Sequence, residues 1–418
     1  MSDASQTKLS FRDEAVWGED PLLVSPQAPG REFRFTSESL NFNVDTAVSE
    51  EIRDDRNISD IIRVAANSAG DVNIESSFGA HDPLLEGAFF NNWVTPVDLN
   101  NPFASPFDNI VITVTAAITS PIQDSVGTIS AASGTPFANV TPGDWIRLSN
   151  TGSPNVDGYY LVTAKTDGDN VSVSPSPLSS TSGTFRIRAS GIRNGTSFKS
   201  FFIEKEFRDI GQFFGFTGMR VGTWSQNIAP GSILNGTFGF QGEYVTQGQS
   251  SQFLTSPQVE PTLTNDVFNA VDNISNILID GLAPVGTCFT EVSFTLDNQL
   301  RPQPCIGQLA NSGIGAGQVQ ISGTIASYFN DLSVYQKFTN FQSVSLSFVA
   351  TDIDGNSYLY FFPSFKLTTG EVVAGGNNQD VLATFGFTAR RDPTYGFAMG
   401  LNRFAADSGL LLPVTATQ

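Results

Sequence analysis

A repeated tetrapeptide constrains the fold more than any other feature of this sequence. Residues 237–240 and 384–387 both read Thr-Phe-Gly-Phe, 147 positions apart. The similarity extends outward to two further pairs of segments, 200–201 with 347–348 and 219–221 with 365–367. Because internal repeats decide the architecture of a chain, this pattern predicts two copies of a single unit.

The spacing between the copies changes toward the N-terminus. Three more pairs of segments match at offsets between 247 and 252: 84–92 with 332–340, 70–74 with 317–321, and 40–45 with 292–297. The rise in offset indicates that the first copy carries an insertion between Trp93 and Phe198. Residues 108–190 are rich in Ser, Thr, Gly and Pro and contain short strand patterns separated by turn signals, which is typical of a small sandwich or barrel.

The predicted fold class is therefore mainly β, with two tandem β-sandwich or barrel units, each with a flanking helix, and a small inserted β-domain. Strands are indicated by period-two alternation of apolar residues. The expected divisions are an N-terminal arm at 1–33, a first unit at 34–107 and 191–250, the insertion at 108–190, a linker with a helix at 251–286, a second unit at 287–395, and a C-terminal arm at 396–418.

Four local patterns add detail to this organisation. Asp82 followed by Pro83 indicates a helix start, and residues 330–338 have a similar pattern in the second unit. Apolar residues at helical spacing across 267–278 predict a further helix. Alternation is lost across 45–69, where mixed charges predict a long exposed loop; the charged residues at its centre are Glu50, Glu51, Arg53, Asp54, Asp55 and Arg56.

Composition excludes several classes of protein. The net charge is −19, from 22 Lys and Arg against 41 Asp and Glu, which disfavours tight binding to nucleic-acid phosphates. The N-terminus lacks an apolar signal core and no apolar run is long enough to span a membrane, so we expect a soluble protein made in a cytoplasm. Cys288 and Cys305 have no motif spacing, and we expect buried, reduced thiols more than a disulfide.

Catalytic constellations are missing from the sequence. His81 is the only histidine, and before a helix it is expected to be a surface or capping residue. No nucleophile elbow, phosphate-binding loop or zinc motif occurs. Residues 352–356 read Asp-Ile-Asp-Gly-Asn, which favours a hairpin turn over a calcium loop because the twelve-residue span is absent. We therefore expect no enzymatic activity, no cofactor and no metal site.

The sequence resembles a known family of virus proteins. The run 49–60, followed by 70–74 and 82–86, is similar to the major tail tube proteins of long, non-contractile-tailed bacteriophages, the siphoviruses. Residues 317–321 and 330–338 resemble the corresponding part of the same unit. The resemblance covers both units and leaves out the insertion, which is similar to the small β-domains that decorate such tubes.

The resemblance implies a structural role in the virion. Tail-tube-type sandwiches join into rings, and rings stack into a tube that passes DNA. Two units in one chain imply homotrimeric rings that imitate hexamers, made in the host bacterial cytoplasm. The implied partners are further copies of the chain, the tape measure protein and DNA in the lumen, and the tail terminator and distal tail proteins. Contacts between rings are expected from the arm 1–33 and from the loop 45–69, which includes the six charged residues named above.

A second interpretation belongs to a different class of protein. A baseplate or receptor-binding protein could recognise host surface carbohydrate through the inserted β-domain, since Trp145, Tyr159 and Tyr160 could stack on sugars. The same three residues fall in predicted strands, which favours a place in the core of the insertion. A glycosidase is a more distant interpretation, because it requires two carboxylates at a defined separation.

Overall fold

The computed structural model describes residues 3–19, 29–94, 110–117, 125–149, 156–253, 258–282 and 288–406. Within them the fold is mainly β, as predicted, with one short 3₁₀ turn at Ala4–Gln6 and two α-helices. The first part of the chain contains β1 (Thr7–Asp13), β2 (Gly30–Glu32), β3 (Ser37–Glu38), β4 (Asn41–Val48), β5 (Ile61–Glu75) and α1 (Asp82–Phe89).

The middle of the chain forms two groups of strands. The first group is β6 (Ile110–Thr115), β7 (Gly127–Ala131), β8 (Trp145–Ser149), β9 (Gly158–Lys165), β10 (Asn170–Ser174) and β11 (Thr181–Arg188). The second group is β12 (Gly191–Arg193), β13 (Phe201–Phe207), β14 (Gln212–Ile228), β15 (Asn235–Gly242), β16 (Tyr244–Gly248) and β17 (Val259–Glu260).

The last part of the chain contains the elements of the second unit. They are β18 (Ile274–Ile279), β19 (Phe289–Asp297), β20 (Arg301–Gln303), β21 (Gly313–Gly315), β22 (Gln320–Tyr328), α2 (Ser333–Thr339), β23 (Ser343–Thr351), β24 (Ser357–Ala374), β25 (Val381–Ala389) and β26 (Gly400–Phe404).

Both units have the same strand order. In the first, the antiparallel neighbours run β4, β5, β15, β14, β13. In the second they run β19, β22, β25, β24, β23. Each unit has one additional strand earlier in the chain, β1 on β13 in the first unit and β18 on β23 in the second. Each also has one later in the chain, β16 on β14 and β26 on β24. The helices also correspond, because α1 packs on β14 and α2 on β24.

The repeated tetrapeptide lies at equivalent places in the two units. Both copies lie opposite a β-bulge in the neighbouring long strand, between Val221 and Thr223 in β14 and between Leu367 and Thr369 in β24. The ladder partners of Phe238 are Trp224 and Val72, and those of Phe385 are Gly370 and Ile325. Corresponding pairs in the ladders therefore define which residues of the two units are equivalent.

These pairs correct three segment matches made from the sequence. Segment 70–74 corresponds to 323–327, not 317–321, because Gly70 and Gly323 face the last phenylalanine of their tetrapeptides. By the same ladders, 40–45 corresponds to 294–299, not 292–297. Segment 200–201 corresponds to 343–344, not 347–348.

One continuous sheet joins the two units. The C-terminal half of β14 pairs with β15 on one side and with β19 of the second unit on the other. We call the resulting run β4, β5, β15, β14, β19, β22, β25, β24 the shared sheet. The N-terminal halves of β14 and β24 leave it and form two cover sheets: β1, β13, β14 and β16 in the first unit, and β18, β23, β24 and β26 in the second.

The core lies between the shared sheet and the cover sheets. One cluster of buried residues runs through both units, from Leu9 to Leu401. Trp224 is at its centre and contacts Phe89 of α1, Phe238 of β15 and Phe294 of β19 with ring centroids 5.2–6.4 Å apart. Aromatic rings suit flat sheet faces and contribute large buried areas, which accounts for much of the high phenylalanine content.

Strands β6 to β11 close into a six-stranded barrel in the order β10, β7, β6, β11, β8, β9. The barrel has its own buried core, with Ile112, Ile146, Val162 and Phe185 among its residues. The paired strands β6 and β11, and likewise β8 and β9, are among the short strands that the sequence indicated.

The two expected arms are partly built into the sheets. Leu9 and Phe11 of β1 are fully buried, because β1 pairs along its whole length with β13. At the other end, β26 pairs with both β12 and β24. Residues 7–13 and 400–404 of the expected arms are therefore strands of the cover sheets, and residues 1–2, 20–28 and 407–418 lie outside the described residues.

Three local expectations are also wrong. The apolar spacing at 267–278 does not form a helix, because β18 pairs with β23 there and Asn276 has a left-handed backbone with φ of 51°. Cys288 and Cys305 are free but exposed, since they lie just before β19 and in the turn after β20. His81, expected on the surface or as a cap, is buried at the N-cap position of α1 and makes no capping bond.

Candidate assembly surfaces

A wide polar groove lies on the side of the shared sheet that faces away from the core. Its volume is about 820 Å³, and it crosses from β5 through the junction of β14 and β19 to β25. Alternation along each strand places apolar residues toward the core and small polar residues in the groove. Among the described lining residues Glu75 is the only charged one, and the others are mainly Ser, Thr and Asn, such as Ser225, Thr237, Thr295 and Thr324.

Both ends of the shared sheet lack a neighbouring strand among the described residues. At one end, residues 369–374 of β24 pair with β25 on one side only. At the other end, residues 37–43 of β3 and β4 pair with β5 on one side only. Residues 369–373 alternate between exposed and half-buried, and Val373 is 44% exposed. Unpaired edges of this kind invite pairing with another chain.

The edge at β4 is partly closed by side chains of the same chain. The Glu38 carboxylate accepts the amide hydrogen of Leu40 at 2.8 Å, and Lys205 Nζ donates to the carbonyl of Leu40 at 3.0 Å. Lys205 also bonds to Glu38 at 2.9 Å. These contacts satisfy the peptide groups of Leu40 that point away from β5.

Strands β4 and β5 extend beyond the shared sheet as a long hairpin. The expected loop 45–69 is therefore mostly strand, with a turn at 49–60, because β4 and β5 stay paired out to Val48 and Ile61. Sequence reasoning missed the exposed apolar residues of this hairpin; those beyond residue 43 are Val44, Val48, Ile52, Ile58, Ile61, Ile62 and Val64. Alternation broken by charges concealed this pattern, although the apolar pairs at 61–62 and 47–48 could have indicated it.

The six charged residues selected from the sequence lie together in the turn of the hairpin. Glu50, Glu51, Arg53, Asp54, Asp55 and Arg56 are all exposed. Arg53 and Asp55 form an ion pair at 2.8 Å, and this contact holds the pKa of Asp55 below its ordinary value. Their position at the end of a projecting hairpin suits contact with another molecule.

A buried polar cluster ties the first unit to the second. Asp82 at the start of α1 accepts hydrogen bonds from Tyr358 of β24 and from Arg403 of β26. Burial raises the pKa of Asp82, with Arg403 acting in the opposite direction. The guanidinium of Arg403 also lies 4.5 Å from the ring of Trp93. The cluster joins elements that are far apart in sequence and fixes the position of α1 against the second cover sheet.

The neighbouring His81 is buried as a neutral ring. Its Nε2 donates to the carbonyl of Arg34 at 3.0 Å, and the ring lies against Phe33 and Phe238. Burial, assisted by the charge of Arg34, lowers the pKa of His81 to about 4. The described residues contain no group of three or more His, Cys, Asp or Glu side chains that could hold a metal ion.

The aromatic residues of the barrel are not arranged for binding sugars. Trp145 is 4% exposed and packs edge-on against Phe361 of the second cover sheet. Tyr159 bonds to Ser357 at 2.8 Å, while Tyr160 belongs to the barrel core and donates to the carbonyl of Val156. Two of the three aromatics therefore attach the barrel to the rest of the chain, and the carbohydrate interpretation is not favoured.

Arg147 reinforces the attachment of the barrel. This buried residue of β8 donates to the carbonyls of Gly355 and Ala405 at 3.2 and 3.3 Å. Arg193 of β12 bonds to Asp144 beside the barrel and lies 4.5 Å from the ring of Phe397. The barrel is consequently fixed on the face of the second cover sheet that points away from the shared sheet.

Comparison with protein families gives a match over nearly the whole chain. The family model described as phage tail tube protein matches residues 4–389. The match includes both units and the barrel and ends at the last residue of β25. A search of curated proteins finds no match. Among the described residues, no helix is both long and apolar enough to cross a membrane.

Proposed function

The chain belongs to the phage tail tube protein family, and on this premise we propose that three copies close head to tail into a ring and that the rings stack into a siphovirus tail tube. The family makes the protein a structural component of the virion tail that assembles with itself. No catalytic residue is assigned, since the role rests on shape and assembly.

The observation that carries the proposal is the joint between the two units. Strand β14 of the first unit pairs with β19 of the second, and the equivalent edge of β24 in the second unit has no partner among the described strands. The strand equivalent to β19 in the first unit, formed by β3 and β4, is also unpaired on one side. Repeating the internal joint between chains would use both edges, and a ring closed in this way is heterologous.

The proposed count of three chains follows from the two units in each chain, because the expected ring imitates a hexamer. Two units with the same strand order stand in each chain, so three chains supply six units. The two units have diverged, since the first carries the barrel and the long hairpin, while the second has the short β20–β21 hairpin at the equivalent position. A covalent pair allows such divergence because its halves need not be identical.

The polar groove is proposed as part of the lumen wall. The barrel and the cover sheets lie on the opposite side of the shared sheet, so a lumen on the grooved side places the barrel outside the tube. A wall of hydroxyl and amide groups without lysine or arginine gives DNA no counterion-releasing contacts. DNA and the tape measure protein would therefore pass without tight binding.

Stacking is assigned to the β4–β5 hairpin. The hairpin carries both charged and exposed apolar residues, and it projects from the edge of the shared sheet. At the tube ends the same ring surfaces would meet the tail terminator and the distal tail proteins. Synthesis in the host bacterial cytoplasm is part of the same proposal.

Purified protein tests the ring. Mass photometry at low concentration should give a species three times the 44.8 kDa of one chain, and negative-stain images should show rings and tubes. Substituting Val372→Pro removes a backbone donor from the unpaired edge and should leave folded monomers. Asn227→Asp, at an exposed position of the already joined strand, is the control. Wild-type protein that stays monomeric under all assembly conditions would refute the proposal.

A further inference from the structure

We infer that the chains of a ring pair in one specific register: residues 369–374 of β24 lie antiparallel to residues 38–43 of the next copy, with Glu371 opposite Asn41. This inference rests on the proposed ring and specifies its contact. The joint inside each chain is its template, because the same two strand positions already pair there between the first unit and the second.

The template fixes every partner. The ladders of β14 and β24 against their tetrapeptide strands make Ser225 equivalent to Glu371. The ladders of β4 and β19 against their neighbours make Thr295 equivalent to Asn41. Ser225 and Thr295 are partners in the internal joint, so Glu371 and Asn41 are partners between chains. The remaining pairs follow: Thr369 with Asn43, Gly370 with Phe42, Val372 with Leu40, Val373 with Ser39, and Ala374 with Glu38.

In this register, residues that point to the core side on one edge lie opposite residues that point to the core side on the other edge. Leu40 and Phe42 point to the core side, as do their equivalents Phe294 and Leu296. A side chain added at Gly370 would meet Phe338 at 2.7 Å, which places Gly370 on the core side of β24 as well. A shift by one residue would turn these side chains into the polar groove.

Side-chain size and charge are also compatible. The internal joint opposes Trp224 to Leu296, two large residues, whereas the contact between chains opposes Gly370 to Phe42. An aromatic side chain opposite a glycine is a favourable cross-strand combination. Glu371 faces an amide, and no pair in the register opposes two charges of the same sign.

Leu40 must exchange its partners when the contact forms. Its outward peptide groups bond to Glu38 and Lys205 in the isolated chain. In the joined sheet they would bond to the backbone of Val372 in the neighbouring copy. The present contacts therefore protect the edge before assembly, as charged residues commonly do on exposed strands.

Cysteine pairs in assembled protein test the register. The background carries Cys288→Ser and Cys305→Ser, because both native thiols are exposed. Glu371→Cys with Asn41→Cys should form a disulfide between chains after mild oxidation, since directly opposed residues have Cα atoms about 4.5–5.5 Å apart. Non-reducing gels should then show covalent dimers and trimers. Ser225→Cys with Thr295→Cys is the internal control and should crosslink within one chain.

Cysteine pairs displaced by two residues distinguish the proposed register from its alternatives. Glu371→Cys combined with Asn43→Cys or Ser39→Cys lies on the same face but on the diagonal, about 7–8 Å away, and should crosslink at least fivefold less. Rings that form normally while a shifted pair crosslinks best would overturn the register and leave the proposed function intact. Protein that crosslinks only in the internal control and forms no rings would refute both.

Discussion

The pH dependence of stability at His81 tests the structure at a single residue. It is the only histidine in the chain, and burial lowers its pKa to about 4. The unfolded chain therefore binds a proton near pH 6.5 that the folded chain does not, so stability is present above this pH and is lost as the pH falls toward 4. The difference between the two pKa values corresponds to roughly 3 kcal/mol.

The substitution His81→Gln separates this effect from other titrations, because glutamine can still donate to the carbonyl of Arg34. Denaturant unfolding at pH 4.5 and pH 7 should give a smaller loss of stability for the variant than for the wild-type chain. Comparing the two proteins cancels the buried carboxylates, whose raised pKa values act in both. Equal pH dependence would show that the histidine is not buried as a neutral ring.

Asp82 tests the cluster that joins the two units. Asp82→Asn removes the carboxylate that pairs with Arg403, and removing one member of a buried ion pair costs about 3–5 kcal/mol. The matched control is Asp55→Asn in the exposed pair with Arg53, which should not change the unfolding free energy measurably. Similar midpoints for both variants in urea unfolding would contradict the described burial.

The sequence could not reveal either of these residues. A single histidine before a helix start gives no sign of burial, since the residues that cover it, Phe33 and Phe238, are distant along the chain. The partners of Asp82 come from β24 and β26, more than 270 positions away. Long-range contacts of this kind carry no local periodicity, whereas the helix start at Asp82 does.

At the scale of strands and sheets, alternation was both useful and misleading. It correctly predicted a mainly β fold and the strands of the barrel. It placed three repeat segments two, four and six residues away from their equivalents, and each error is an even number. Because side chains alternate with a period of two, an even shift keeps every residue on its face and leaves the pattern intact. The ladders around the tetrapeptides resolve this ambiguity.

The polar groove gives a prediction about the shared sheet. Ser225→Lys places a cation on the proposed lumen wall, and Thr184→Lys makes the same change on the exposed surface of the barrel. Phage assembled with the first variant should eject DNA more slowly and with a steeper salt dependence, by about one unit of logarithmic slope for each phosphate neutralised. The barrel variant should eject like the wild type. Equal ejection by both would place the groove away from DNA.

The β4–β5 hairpin gives a second prediction at this scale. Arg53→Glu with Arg56→Glu changes the charge at its turn, and we expect rings to persist while long tubes fail to form. Lys165→Glu in β9 of the barrel is the control for an exposed charge reversal. Tube lengths from negative-stain images, taken at low and high salt, report the result. Normal tubes from the double variant would show that the turn takes no part in the stacking contact.

Because the barrel is attached to the second cover sheet, its removal should affect the solubility of the remaining molecule. Deleting 108–190 exposes Leu359 and Phe361, which the barrel covers. We expect the simple deletion, closed by a Gly-Ser bridge, to aggregate, and the same deletion with Leu359→Thr and Phe361→Thr to be soluble and to form tubes. Size-exclusion chromatography and negative-stain images check both. A soluble repaired variant without rings would show that the barrel takes part in assembly.

The proposed ring depends on the internal joint of the chain being repeated between chains. A cryo-EM reconstruction of the assembled tube would show this contact. We expect three chains in each ring, three-fold symmetry with pseudo-six-fold sheets, an unbroken shared sheet around the lumen, and the barrels outside. A ring of six full-length chains, or three chains whose β24 and β4 edges stay apart, would contradict the claim.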